Sequence, residues 1–120
     1  MANEITITQN IAIENVGFSD KRTHSNKKFD QTTLGGMLPG YKKIGTSEET
    51  LTTTDVATLG WAWIKNLDAA NYVDFGFTTA VYGIRCEAGE VALFRLVPGV
   101  TIYALANTAE VKTQIHIYED

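Results

Sequence analysis

Apolar and polar side chains alternate in Ile5-Thr6-Ile7-Thr8 and again in Ile11-Ala12-Ile13, the period of a half-buried strand. Asn10 interrupts the pattern, and a bulge or short turn there would let both apolar sets face one core. From Gly60 the pattern becomes denser. Short apolar segments run over Gly60 to Leu67, Tyr72 to Phe77, Val81 to Cys86, Val91 to Leu96, Thr101 to Ala106 and Val111 to Tyr118, with turn residues between them at Asn66 to Asn71, Ala88-Gly89, Pro98-Gly99 and Asn107. This spacing predicts an all-β chain, an antiparallel β-sandwich of jelly-roll-like character. No stretch shows the 3.6-residue period of a long amphipathic helix. The whole chain, residues 1–120, reads as one sandwich domain, with residues 1–28 forming an N-terminal arm and loop.

The segment from Asn15 to Lys28 has a different character. It is the most polar stretch and the only concentrated basic one, and it predicts a long polar loop near residues 15–28. Such a loop is either solvated or an arm that orders against a partner. Phe29 to Leu34 reads as a further strand, and Leu38-Pro39-Gly40 as a turn.

The second half is better specified. Trp61 and Trp63, two residues apart on a strand, share a face. Two tryptophans so placed fill a core or a dry interface, while for a sugar Trp61, Trp63 or Tyr103 could serve as a stacking platform. Val91 to Leu96 is apolar at nearly every position, as expected of a strand covered on both faces. Arg95 is the exception and should find a carboxylate or an interface. In the last strand Val111, Thr113, Ile115 and Ile117 should point inward, with Lys112, Gln114, His116 and Tyr118 outward. The end of the chain should then be pinned into a sheet.

Composition narrows the function classes. A chain of 120 residues, 44% hydrophobic, can build one core. The net charge of -4 opposes a general affinity for nucleic acid, which needs a basic surface. No apolar run approaches the roughly 20 residues of a membrane span. Cys86 is the lone cysteine and reads as a small buried hydrophobe, so no intramolecular disulfide is expected. The glycines form no phosphate-cradling loop. His24, Cys86 and His116 lack metal-ligand spacing. No serine sits in a nucleophile elbow. Glu48 and Glu49 are adjacent, so on a strand they point apart, and Glu87 with Glu90 flank a turn. We therefore expect no catalytic residues, no cofactor and no metal: a non-enzymatic chain that works by presenting surface.

The runs Gly60 to Asp68, Asn71 to Gly76, Glu87 to Leu96, Pro98 to Ala104 and Val111 to Asp120 together resemble small structural proteins of tailed-bacteriophage virions, over roughly residues 45–120. The resemblance implies a β-sandwich decoration or cement protein. Such a protein bridges major capsid subunits and stabilises the shell within a virion assembled in the host bacterial cytoplasm. It also implies partners among the major capsid protein or other virion proteins, a homo-oligomer (dimer or trimer), and neither nucleic acid nor membrane as partner. A tail or head–tail connector component is the neighbouring possibility, and a carbohydrate-binding module the one from another class. Candidate partner-binding residues are Ile5, Ile7, Ile11 and Ile13, which could pair with a neighbour's sheet edge or complete the chain's own sandwich. The cations Lys21, Arg22, Lys27 and Lys28 of the polar segment join them.

Overall fold

The computed structural model describes residues 4–30, 37–54 and 56–120, and for residues 37–39 the backbone. It is all-β with every strand pair antiparallel, as the alternation predicts. The chain divides into two compact units, Met1–Thr32 and Thr33–Asp120.

The first unit is a two-stranded ribbon, β1 (Ile5–Asn15) paired with β2 (Phe18–Phe29). This corrects the expected polar loop: residues 18–28 are strand, and only Val16-Gly17 turns the chain. Gly17 takes φ 79, open to a residue without Cβ, and the Val16 N–H is held by Asn15 Oδ1 at 2.7 Å. Ile5 to Ile13 thus lies outside the two sandwich sheets, paired along one edge with β2 of the same chain. The irregularity expected at Asn10 lies instead at Thr8, where Ser25 and Asn26 both sit between the Ile7↔Lys27 and Gln9↔His24 pairs. Asn26 carries φ 53 there, and its N–H donates to Thr8 Oγ1 at 3.1 Å.

The second unit is the sandwich. One sheet has the order β3 (Met37–Ile44), β10 (Val111–Glu119), β5 (Leu59–Asn66), β8 (Val91–Arg95). The other has β4 (Glu49–Thr50), β9 (Tyr103–Ala106), β6 (Val73–Gly76), β7 (Ile84–Cys86). Between them lies a single apolar cluster that includes Ile44, Ile64, Ile115 and Ile117 from the first sheet and Val73, Phe75, Cys86 and Ala104 from the second. β10 follows the expected faces, with Val111, Thr113, Ile115 and Ile117 buried. Its end is pinned: the Glu119 carboxylate accepts the Ala57 N–H at 2.7 Å, and Asp120 N donates to Thr58 O at 2.9 Å.

Two expectations change here. Backbone pairing continues through Leu38-Pro39-Gly40 as part of β3, with Gly40 at φ 91. β3 is an edge strand, where a residue without an N–H leaves a ladder bond unmade only on the open side. β8 is likewise an edge rather than a strand covered on both faces, and Val91 is 50% exposed. The strand expected from Phe29 to Leu34 falls, beyond Asp30, outside the described residues.

Candidate interaction surface

In an antiparallel pair, residues directly opposite point to the same face. The ribbon register therefore sorts its side chains into two sets. One face carries Ile5, Ile7, Ile11 and Ile13 from β1, with Phe18, Asp20, Arg22, His24, Lys27 and Phe29 opposite them or their neighbours on β2. The other carries Thr6, Thr8, Asn10, Ala12 and Glu14, with Ser19, Lys21, Thr23 and Lys28. The polar face is knitted by Thr23 Oγ1 donating to Asn10 Oδ1 at 3.1 Å. The first face sets Ile5, Ile7, Ile11, Ile13, Phe18 and Phe29 among as many polar or charged side chains, Gln9 and Asn15 included, and its turn-ward half is open to solvent: Ile11 is 58% exposed, Ile13 47% and Phe18 58%. Ile7 is buried and Ile5 half-buried.

The structure thus brings six of the eight residues singled out from sequence, Ile5, Ile7, Ile11, Ile13, Arg22 and Lys27, onto one face, and places Lys21 and Lys28 on the other. Sequence reasoning missed Phe18, Asp20, His24 and Phe29 as members of that face. The available signal was the Asn15-Val16-Gly17-Phe18 turn, which sets the register once β2 is read as a strand. Arg22 Nε lies 3.3 Å from Asp20 Oδ2, an exposed pair along one strand. A shallow open depression lined by Gln9, Asn10, Ile11, Arg22, Thr23 and His24 lies beside it.

A second surface is the outer face of the sheet containing β5. Trp61 and Trp63 point outward there and are half-buried, flanked by His116 and Tyr118 of β10. Trp63 and His116 have ring centroids 5.8 Å apart, and His116 stacks on Tyr118 at 6.4 Å. Arg95 finds the predicted carboxylate in Asp120 and lies 5.9 Å from the Trp61 ring centre. Tyr103 belongs to β9 in the other sheet.

The groups weighed for chemistry have structural engagements. Glu48 accepts Thr79 Oγ1 at 2.7 Å, the Ala80 N–H at 2.8 Å and Tyr82 OH at 2.8 Å, and these bonds, the Ala80 N–H foremost, hold its carboxyl below its usual range. Glu49 instead pairs with Lys42 Nζ at 3.1 Å. Glu90 Oε1 accepts the Glu87 N–H at 2.8 Å across their turn. Burial, with the Glu90 and Asp74 charges nearby, pushes the Cys86 thiol up to about 11, so thiolate chemistry is suppressed. Among the described residues no three His, Cys, Asp or Glu side chains cluster for a metal. Comparison with known proteins finds no matching family model, no similar curated protein and no similar solved structure.

Proposed function

We propose that this chain is a non-enzymatic assembly protein whose ribbon docks through its apolar face onto a neighbouring subunit, and specifically a decoration or cement protein of a tailed-phage shell. The observation that carries the docking role is the exposed row Ile11, Ile13 and Phe18 on a two-stranded ribbon. An isolated two-stranded ribbon is marginal in water, and exposed isoleucine and phenylalanine side chains gathered on one of its faces mark a contact surface. The shell assignment rests on the sequence resemblance, with major capsid protein or other virion proteins as partners. The sandwich lends support: the chain crosses between sheets at every strand connection from β3 to β10 except β6 to β7. That strand order supports a jelly-roll reading, an architecture used by viral capsid domains. A sandwich and a ribbon on one chain suit a clamp, since several modest contacts combine through effective concentration.

The test is addition of the purified chain to phage shells assembled without it. Saturable binding and a raised shell disassembly temperature are expected, both weakened by Ile11→Asp. Absence of saturable binding by the unaltered chain overturns the shell assignment.

A further inference from the structure

The turn-ward half of the ribbon face is self-complementary. Its successive rows, read from the paired residues, are Gln9 with His24, Ile11 with Arg22, Ile13 with Asp20 and Asn15 with Phe18. Two such faces can be laid together about a two-fold axis running across the strands, midway between the second and third rows. Under that rotation β1 lies over β1 and β2 over β2, in opposite directions. Ile11 of one copy then meets Ile13 of the other, twice. Arg22 of one copy meets Asp20 of the other, also twice, and Phe18 packs over His24. Every apolar residue is matched by an apolar or aromatic one, and each charge by its opposite. A shift by one row would set Arg22 against Arg22 and lose the match.

We infer that this half of the ribbon is a homodimer interface, with a second copy of the same chain as its occupant. The inference deepens the reading of the ribbon as a docking element and rests on it. Charge complementarity selects the occupant: Asp20 and Arg22 form an exposed pair at 3.3 Å within each chain, and a two-fold copy lays a second such pair over it with every charge facing its opposite, whereas an apolar surface would cover the pair and offer it no partner. The exposure agrees, because Ile11, Ile13 and Phe18 are open while Ile7, outside the self-complementary rows, is buried. Eight residues a side make a small interface, so the dimer is weak and concentration-dependent.

Sedimentation equilibrium of the full chain over a wide concentration range tests this, with two charge variants. Asp20→Arg makes both charged positions of the face cationic, and Arg22→Asp makes both anionic. Each variant alone should associate at least about tenfold more weakly than the unaltered chain, the change expected for losing a central interface contact. An equimolar mixture of the two should regain association, because each cationic face then meets an anionic one. A ribbon damaged in folding by either change would not be rescued by mixing. An unaltered chain that stays monomeric throughout, or variants that gain nothing from mixing, overturns self-pairing. If the chain stays monomeric yet binds shells in a way that Ile11→Asp abolishes, the docking role stands and only self-pairing falls. If Ile11→Asp alters neither association, both fall.

Discussion

The Asn66 side-chain amide donates to the Cys86 carbonyl oxygen at 2.9 Å, joining β5 of one sheet to β7 of the other through a fully buried residue. The same nitrogen donates to Asn71 O at 2.9 Å, and Asn66 Oδ1 accepts the Asp68 N–H at 2.8 Å. One polar side chain thus fixes the turn after β5 and ties the two layers together. Leucine has the same branched shape, with bulkier methyls, but can satisfy none of these groups. Asn66→Leu should cost about 3 kcal/mol, read as a lower denaturant midpoint at unchanged slope. Asn66→Asp probes the same site electrostatically. Its carboxylate would face two carbonyl oxygens, so the folded state favours the protonated acid and raises the folded pKa above the unfolded one. Its stability should therefore fall as pH rises through the carboxylate range, a dependence that Asn66→Leu will not show.

Gly76 ends β6 where the chain folds back at Val81, and a Cβ at Gly76 would overlap the Val81 carbonyl. The obstacle is backbone on both sides, held by the Thr78↔Val81 bridge and by Gly83 N donating to Phe75 O at 3.1 Å. Gly76→Ala should cost more than about 2 kcal/mol or prevent folding. Gly83 is the control. Nothing lies within 4 Å of its Cβ direction, so Gly83→Ala should change stability by less than about 0.5 kcal/mol in the same thermal melts.

The two halves of the chain differ in how far their sequence reveals them, and the difference is one of burial. β5 and β10 each have one face on the core, so Ala62 and Ile64, or Ile115 and Ile117, alternate with outward residues and announce a strand. β2 has no buried position, and between Phe18 and Phe29 its residues are polar, so no hydrophobic period marks it. Its strand character comes from pairing with β1, a tertiary fact. The isoleucines of the candidate surface were legible because β1 alternates. Their neighbours across the ribbon were not, since those depend on the turn at Gly17 and the bulge at Asn26. β8 misled for the opposite reason: Val91-Ala92-Leu93-Phe94 reads as a central strand but forms an edge, its outer positions half-covered.

Glu48 clasps the loop after β6 through three hydrogen bonds, and Ala80, held by one of them, has φ 61. These bonds favour the charged carboxylate, so its folded pKa lies below the ordinary value of a glutamate. A depressed carboxylate contributes stability that is present above its unfolded pKa and lost as pH falls through the folded one. Glu48→Gln keeps the shape but removes the charge. The two proteins should differ in melting temperature at neutral pH, and the difference should shrink on acidification below the ordinary carboxylate value. A gap that stays constant down to that acid range would show the carboxylate charge to be idle.

The bulge at Ser25-Asn26 decides which residues share the ribbon's apolar face. A strand alternates strictly, so if Ser25 and Asn26 ran on as regular strand with no bulge, Lys27 and Phe29 would turn to the polar face and Lys28 to the apolar one. With it, Phe29 sits opposite Ile5 and Lys27 opposite Ile7. Asn26 tolerates its left-handed backbone, and Thr8 Oγ1 accepts its N–H. Deleting Ser25 should restore strict pairing, with Asn26 opposite Thr8, and leave Lys27 opposite Ile7 and Phe29 opposite Ile5. Amide exchange at Ile5 and Ile7 should then be no faster than in the unaltered chain. Exchange in β5 and β10 should be unchanged. Asn26→Gly, which keeps the left-handed position, should leave exchange at Ile5 and Ile7 near the original rate, whereas Asn26→Val should accelerate it. That ordering tests the bulge: if deleting Ser25 speeds exchange at Ile5 and Ile7, or Asn26→Val leaves it unchanged, the extra residue between His24 and Lys27 does not set the pairing of Ile5 with Phe29.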